Sequence, residues 1–177
     1  MKELILQIRE LKLQDEIKIK KVSLTEELSL KQLDPANKKD IWLIEHLDPN
    51  DFWTKSVDLE TTFLDADYTS DCIYNKSYSI RHHDDPIGYL EISKLYEAGF
   101  VYLCYSILER ERRKGYARTT LAAISDILLE EMNAVRTIIL EENQIARSLA
   151  TQLGYVPIYE HSTFSIYQKE KVKNKHC

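Results

Sequence analysis

Residues 100–132 read FVYLCYSILERERRKGYARTTLAAISDILLEEM, and the fold turns on how this stretch divides. Residues 100–108 are the most β-prone run in the chain, dense in aromatic and branched side chains. Between 110 and 118 lie Arg110, Arg112, Arg113, Lys114 and Arg118, against Glu111 alone. Leu121, Ile124, Leu128 and Met132 then recur at helical spacing, which predicts a helix starting near Arg118. The order is therefore strand, basic glycine-containing loop, helix.

Downstream, residues 135–140 form a short β-branched run, read as a buried strand. Because a helix separates it from the strand at 100–108, the two are expected to lie parallel. Asn143 suits an N-cap, Ala146, Leu149, Ala150 and Leu153 follow at helical spacing, and Gly154 stands where a capping glycine belongs. Residues 163–167 read as the last strand, before a lysine-rich tail expected to fray. Upstream, 28–33 reads as a strand and 38–47 as a helix with Ile41, Ile44 and Leu47 on one face. A second helix is expected at 56–66, then β runs at 72–82 and 87–95. Residues 1–12 read as a short amphipathic helix and 16–22 as an edge strand. The domain organisation expected is an extension at 1–27, one α/β domain at 28–168 and a basic tail at 169–177.

Composition narrows the function classes. The 177 residues are 44% hydrophobic and 30% charged, a globular balance for a single domain. No apolar run approaches the roughly 20 residues of a membrane span, and Lys2, Glu3, Arg9 and Glu10 interrupt any signal-peptide core. Cys72, Cys104 and Cys177 are scattered, which points away from a disulfide framework and toward a reducing, cytoplasmic setting. No metal site is expected, since His82 and His83 are adjacent and do not easily share a tetrahedral ion. The net charge of −5 argues against a nucleic-acid binder, so the basic run at 110–118 is a local reversal.

Such a run before a helix reads either as a solvated turn or as an anion site, where unpaired N–H groups and the positive end of the helix dipole face a ligand. Gly115 and Ala117 permit close approach of the backbone. With glycines only at 88, 99, 115 and 154, neither a Walker loop nor a three-glycine dinucleotide fingerprint is present.

Arg112-Arg113-Lys114-Gly115-Tyr116-Ala117 resembles the Arg/Gln-x-x-Gly-x-Gly/Ala signature of the GNAT superfamily of acetyl-CoA-dependent N-acetyltransferases. Asn143, Ala146, Leu149, Gly154 and Tyr155 resemble that family's later segment, and the likeness spans about 28–167. It implies an α/β (α+β) fold with a mixed, mostly antiparallel sheet of six or seven strands and helices on both faces. It also implies acetyl-CoA as cosubstrate, its pyrophosphate on Arg112, Arg113, Lys114, Gly115, Tyr116, Ala117 and Arg118. Tyr105, Ser106 and Ile107 would line the pantetheine arm where the two parallel strands diverge. Asn143 is read as a plain N-cap, a cofactor contact, or both. Ala150 stands where many members carry a tyrosine that protonates the leaving thiolate, which resembles the branch acetylating ribosomal-protein N-termini. The implied acceptor is a primary amine, on a peptide N-terminus or a small molecule, and the chain a monomer or homodimer.

Acetyl transfer also needs a base for the amine and a donor for the developing oxyanion. If Lys94 pairs with Phe100 across the intervening turn, Glu91 falls opposite Leu103 and points away from the face of Leu90 and Ile92. Glu91 is then either an exposed strand residue or the base, with Glu141 and Glu142 next. The acid is open among Tyr105, Tyr155 and solvent. The competing reading is a non-catalytic acyl-CoA-binding or regulatory module.

Overall fold

Period-two alternation sorts the side chains of the central strands onto two faces, and helices cover both. The computed structural model describes residues 27–48, 72–95 and 99–171. The strands are β1 (Leu28–Gln32), β2 (Cys72–His82), β3 (Asp85–Leu95), β4 (Phe100–Ile107), β5 (Ala134–Leu140), β6 (Val156–Glu160) and β7 (Phe164–Glu170). The helices are α1 (Lys38–Glu45), α2 (Tyr116–Glu131) and α3 (Gln144–Gln152). The strands form one seven-stranded sheet in the order β1-β2-β3-β4-β5-β7-β6. Every neighbouring pair is antiparallel except β4 and β5, which run parallel with α2 crossing between them.

On one face, Leu30, Tyr78, Leu90, Leu103 and Val135 pack with Leu121, Ile124 and Leu128 of α2 and Ala150 of α3. Tyr155 follows α3 into this core, where its hydroxyl pairs with Ser125 of α2 at 2.6 Å. Burial pushes the Tyr155 phenol up to about 12, so it serves as a neutral packing group. On the other face, Tyr89 packs with Leu33, Leu43, Ile44, Leu47 and Leu108 beneath α1. The fold class is the mixed, mostly antiparallel sheet that the sequence implies. No helix among the described residues is long and apolar enough to cross a membrane.

A buried ion pair fastens α1 to the sheet. Asp40 is fully buried and accepts from Arg81 Nη2 at 2.5 Å, while Arg81 Nε donates to Ser79 Oγ at 2.9 Å and Nη1 to the Asp84 carbonyl at 2.9 Å. Removing one partner strands the other's charge out of water. Asp40→Ala should therefore cost roughly 3–5 kcal/mol of stability, measured by urea unfolding; a loss below about 1 kcal/mol, the level of a surface pair, would show that the pair does not hold α1.

Four local expectations change. The helix expected near Arg118 begins at Tyr116, because Gly115 in the left-handed conformation caps it directly. β6 was not foreseen: it is an exposed edge strand carrying Pro157, without the alternation that marks a half-buried strand. β7 runs through Lys169 and Glu170, residues expected to fray, because both pair with β5. Glu91 lies opposite Cys104, not Leu103. The helices expected at 1–12 and 56–66 and the strand at 16–22 lie outside the described residues, as does the tail beyond 171.

Candidate active site

The ladder between β4 and β5 pairs Phe100–Leu103 with Ala134–Thr137 and then stops, although both strands continue. The divergence opens a cleft of about 1200 Å³, walled by Tyr105, Ser106 and Ile107 of β4, by Ile138 and Leu140 of β5, and by the start of α3. Arg112, Arg113, Gly115, Tyr116, Ala117 and Arg118 close one end.

The closing loop has defined anchors. A short 3₁₀ turn, Glu109–Glu111, leads into Arg112, whose Nε donates to the Ile107 carbonyl at 2.9 Å. Arg113 adopts φ +64° and Gly115 φ +86°. Gly115 is the N-cap residue of α2 and offers no side-chain cap to the first turn, so N–H groups there are available to a ligand. A Cβ built on Gly115 would meet nothing within 4 Å, so the space beside the backbone is open. Arg118 Nη1 donates to Gln152 Oε1 at 3.1 Å, linking α2 to α3. This open, cationic helix start fits a pyrophosphate in shape and charge. Lys114 does not line the cleft: its Nζ lies 2.8 Å from Glu111 Oε2, and that hydrogen bond raises its pKa.

Asn143 lines the cleft and also caps α3, its Oδ1 accepting from the Ala146 N–H at 3.0 Å. Along the β3–β4 wall stands Glu91. Tyr89 Oη donates to its Oε2 at 2.6 Å and Ser93 Oγ to its Oε1 at 2.9 Å. Each carboxylate oxygen is thus held by one donor. Burial, then the Glu91 charge, pushes the Tyr89 phenol well above its ordinary range, keeping it a neutral donor. Because Tyr89 gives its proton to Glu91, the 3.0 Å contact with Ser77 Oγ has the serine donating.

Tyr105 pairs with Leu90 in the β3–β4 ladder, whereas Glu91 pairs with Cys104. Tyr105 and Glu91 therefore approach the cleft from opposite faces of the sheet. Glu141 does not line it: its carboxylate is ion-paired with Arg147 and accepts from Ser165 Oγ at 3.2 Å. Tyr155 is likewise in the core, not the cleft. Tyr89 and Ser93, which hold the Glu91 carboxylate, were not singled out from the sequence, although they stand two residues either side of Glu91, the spacing that places them on its face.

Residues 38–155 match the family described as Acetyltransferase (GNAT) family. No curated protein is significantly similar to the chain in sequence. Among solved structures, a spermidine N-acetyltransferase from Vibrio cholerae, in complex with CoA and spermine, is 16% identical with a TM-score of 0.67, covering 83% of this chain and 97% of that one. An acetyl transferase from Salmonella typhimurium that modifies the N-terminal serine of the 50S ribosomal subunit protein L7/L12 is 15% identical with a TM-score of 0.60, covering 84% and 98%. An acetyltransferase from Thermus thermophilus is 19% identical with a TM-score of 0.63, covering 81% and 97%. At these identities the likeness is one of fold.

Proposed function

The chain belongs to the acetyltransferase (GNAT) family, and from that premise we propose that it moves an acetyl group from acetyl-CoA to a primary amine by direct attack on the thioester. The observation that carries this reading is one cleft with a Gly115-capped helix start at one end and the Glu91 carboxylate along its wall. Arg112, Arg113, Arg118 and the first turn of α2 hold the pyrophosphate. The pantetheine arm runs between β4 and β5, beside Tyr105, Ser106 and Ile107, with Asn143 at its edge.

An amine attacks only when neutral, so its ammonium form must first lose a proton. Glu91, oriented by Tyr89 and Ser93, attracts the cationic acceptor and takes that proton, directly or through one water. A backbone N–H on the splayed part of β4 donates to the thioester oxygen as negative charge develops there. As the C–S bond breaks, the attacking nitrogen sheds its second proton to solvent, and the departing thiolate takes one up from solvent or from Tyr105, which solvent then reprotonates. The acceptor is a peptide N-terminal amine or a small amine such as a polyamine, and the chain works in the cytoplasm as a monomer or homodimer.

The direct test is thiol release from acetyl-CoA against a panel holding a free-N-terminus peptide, spermidine and a simple alkylamine. Amine-dependent release, with an N-acetylated product of matching mass, is expected. A protein that binds acetyl-CoA yet releases no thiol with any of these amines would be a binding module instead.

A further inference from the structure

At the turn between β2 and β3, two histidines and a glutamate converge. We propose that Glu27, His82 and His83 form a binding site for a divalent first-row transition metal, with zinc as the reference ion. One ligand atom from each lies within 4.8 Å of the others.

Adjacent side chains in an extended strand point to opposite faces, which is why neighbouring histidines rarely share an ion. His83 is no longer in the strand. It follows the end of β2 with φ +52°, and this left-handed turn brings its ring to 4.5 Å from that of His82. The His83 N–H donates to the Glu27 carbonyl at 2.6 Å, which draws the residue preceding β1 onto the same turn. The glutamate then faces both rings, Oε2 at 3.2 Å from His82 Nε2 and Oε1 at 3.9 Å from His83 Nε2. Around a tetrahedral zinc with bonds of 2.0–2.2 Å, ligand atoms stand about 3.4 Å apart, so modest rotations of the exposed Glu27 and His83 side chains complete the set.

The donors are two imidazoles and one carboxylate, a combination that suits zinc and its first-row neighbours. Glu27 and His83 are exposed and His82 half-buried, which leaves water to fill the fourth position. The ring of His82 rests on Tyr116 at 5.0 Å, a contact that limits its reorientation. Two cations by this turn are already matched: Arg81 pairs with Asp40, and Lys39 with Asp85 at 2.7 Å. Neither opposes a divalent ion at the turn.

Cobalt(II), a spectroscopic stand-in for zinc, supplies the test on the full chain. One equivalent should bind per chain, give visible bands of tetrahedral intensity without a near-ultraviolet sulfur-to-metal band, and be displaced by zinc. Glu27→Gln and His83→Asn should each weaken binding at least tenfold; Asn tolerates the left-handed backbone, and melting without metal checks that both variants fold. If Glu27→Gln does not fold, His83→Asn alone decides. Binding unchanged in the folded variants, a sulfur band implicating a cysteine, or no stoichiometric binding would each overturn the site.

Discussion

Glu91→Gln should lower turnover by roughly 10²-fold or more while leaving acetyl-CoA affinity nearly unchanged, as the loss of a general base requires. The substitution isolates charge from shape. Glutamine keeps the length of the side chain, its carbonyl still accepts from Tyr89, and the Ser93 hydroxyl can turn to accept from the new amide. What is lost is the group that accepts the amine's proton. Glu141 provides the contrast, since Arg147 and Ser165 occupy its carboxylate outside the cleft. Glu141→Gln should leave turnover within about threefold, the scatter of a surface change. Initial rates across a pH series with saturating acetyl-CoA decide the matter. Full activity of Glu91→Gln throughout that series would remove Glu91 from the mechanism.

Gly115→Glu should abolish stabilisation by acetyl-CoA. Wild-type protein at about 100 times the dissociation constant should gain roughly 2.7 kcal/mol, read as a rise in melting temperature, and the variant almost nothing. Bulk and charge act together here. The side chain would enter the open space beside the backbone, and its carboxylate would stand against phosphate where the helix start and Arg112, Arg113 and Arg118 now attract it. Gly115 sits at φ +86°, where any L-residue is strained by roughly 1–2 kcal/mol. The variant should therefore melt somewhat lower even without ligand, and Gly115→Ala, carrying the same strain, is the proper reference. The alanine variant should keep part of the ligand shift. A glutamate variant whose ligand shift equals that of wild type would place the pyrophosphate elsewhere.

The parts of this protein that were legible in the sequence are those built from neighbours in the chain. Strand, basic loop and helix follow one another over residues 100–132, and an anion site at a helix start needs only local backbone, one glycine and adjacent cations. Asn143 as a cap and Gly154 beyond α3 were readable for the same reason, since capping spans only a few residues. That β4 and β5 run parallel followed from the helix that separates them in the chain.

What the tertiary structure decided was the partner of each residue across distance. Counting back from an assumed Lys94–Phe100 pair set Leu103 across from Glu91 where Cys104 stands, although alternation alone had already turned Glu91 away from the face of Leu90 and Ile92. The true register sets Ile92 against Leu103 and Leu90 against Tyr105, burying those side chains together under α2 and leaving Glu91 with Cys104 on the other side. Both Glu91 and Glu141 flank apolar strand residues, so nothing local separates a carboxylate facing the cleft from one tied to Arg147. Glu27 reaches His83 through a turn contact between residues far apart in the chain. Such placements are set by burying the whole sheet's apolar surface at once, and that free energy is a sum over pairs no short window of sequence contains.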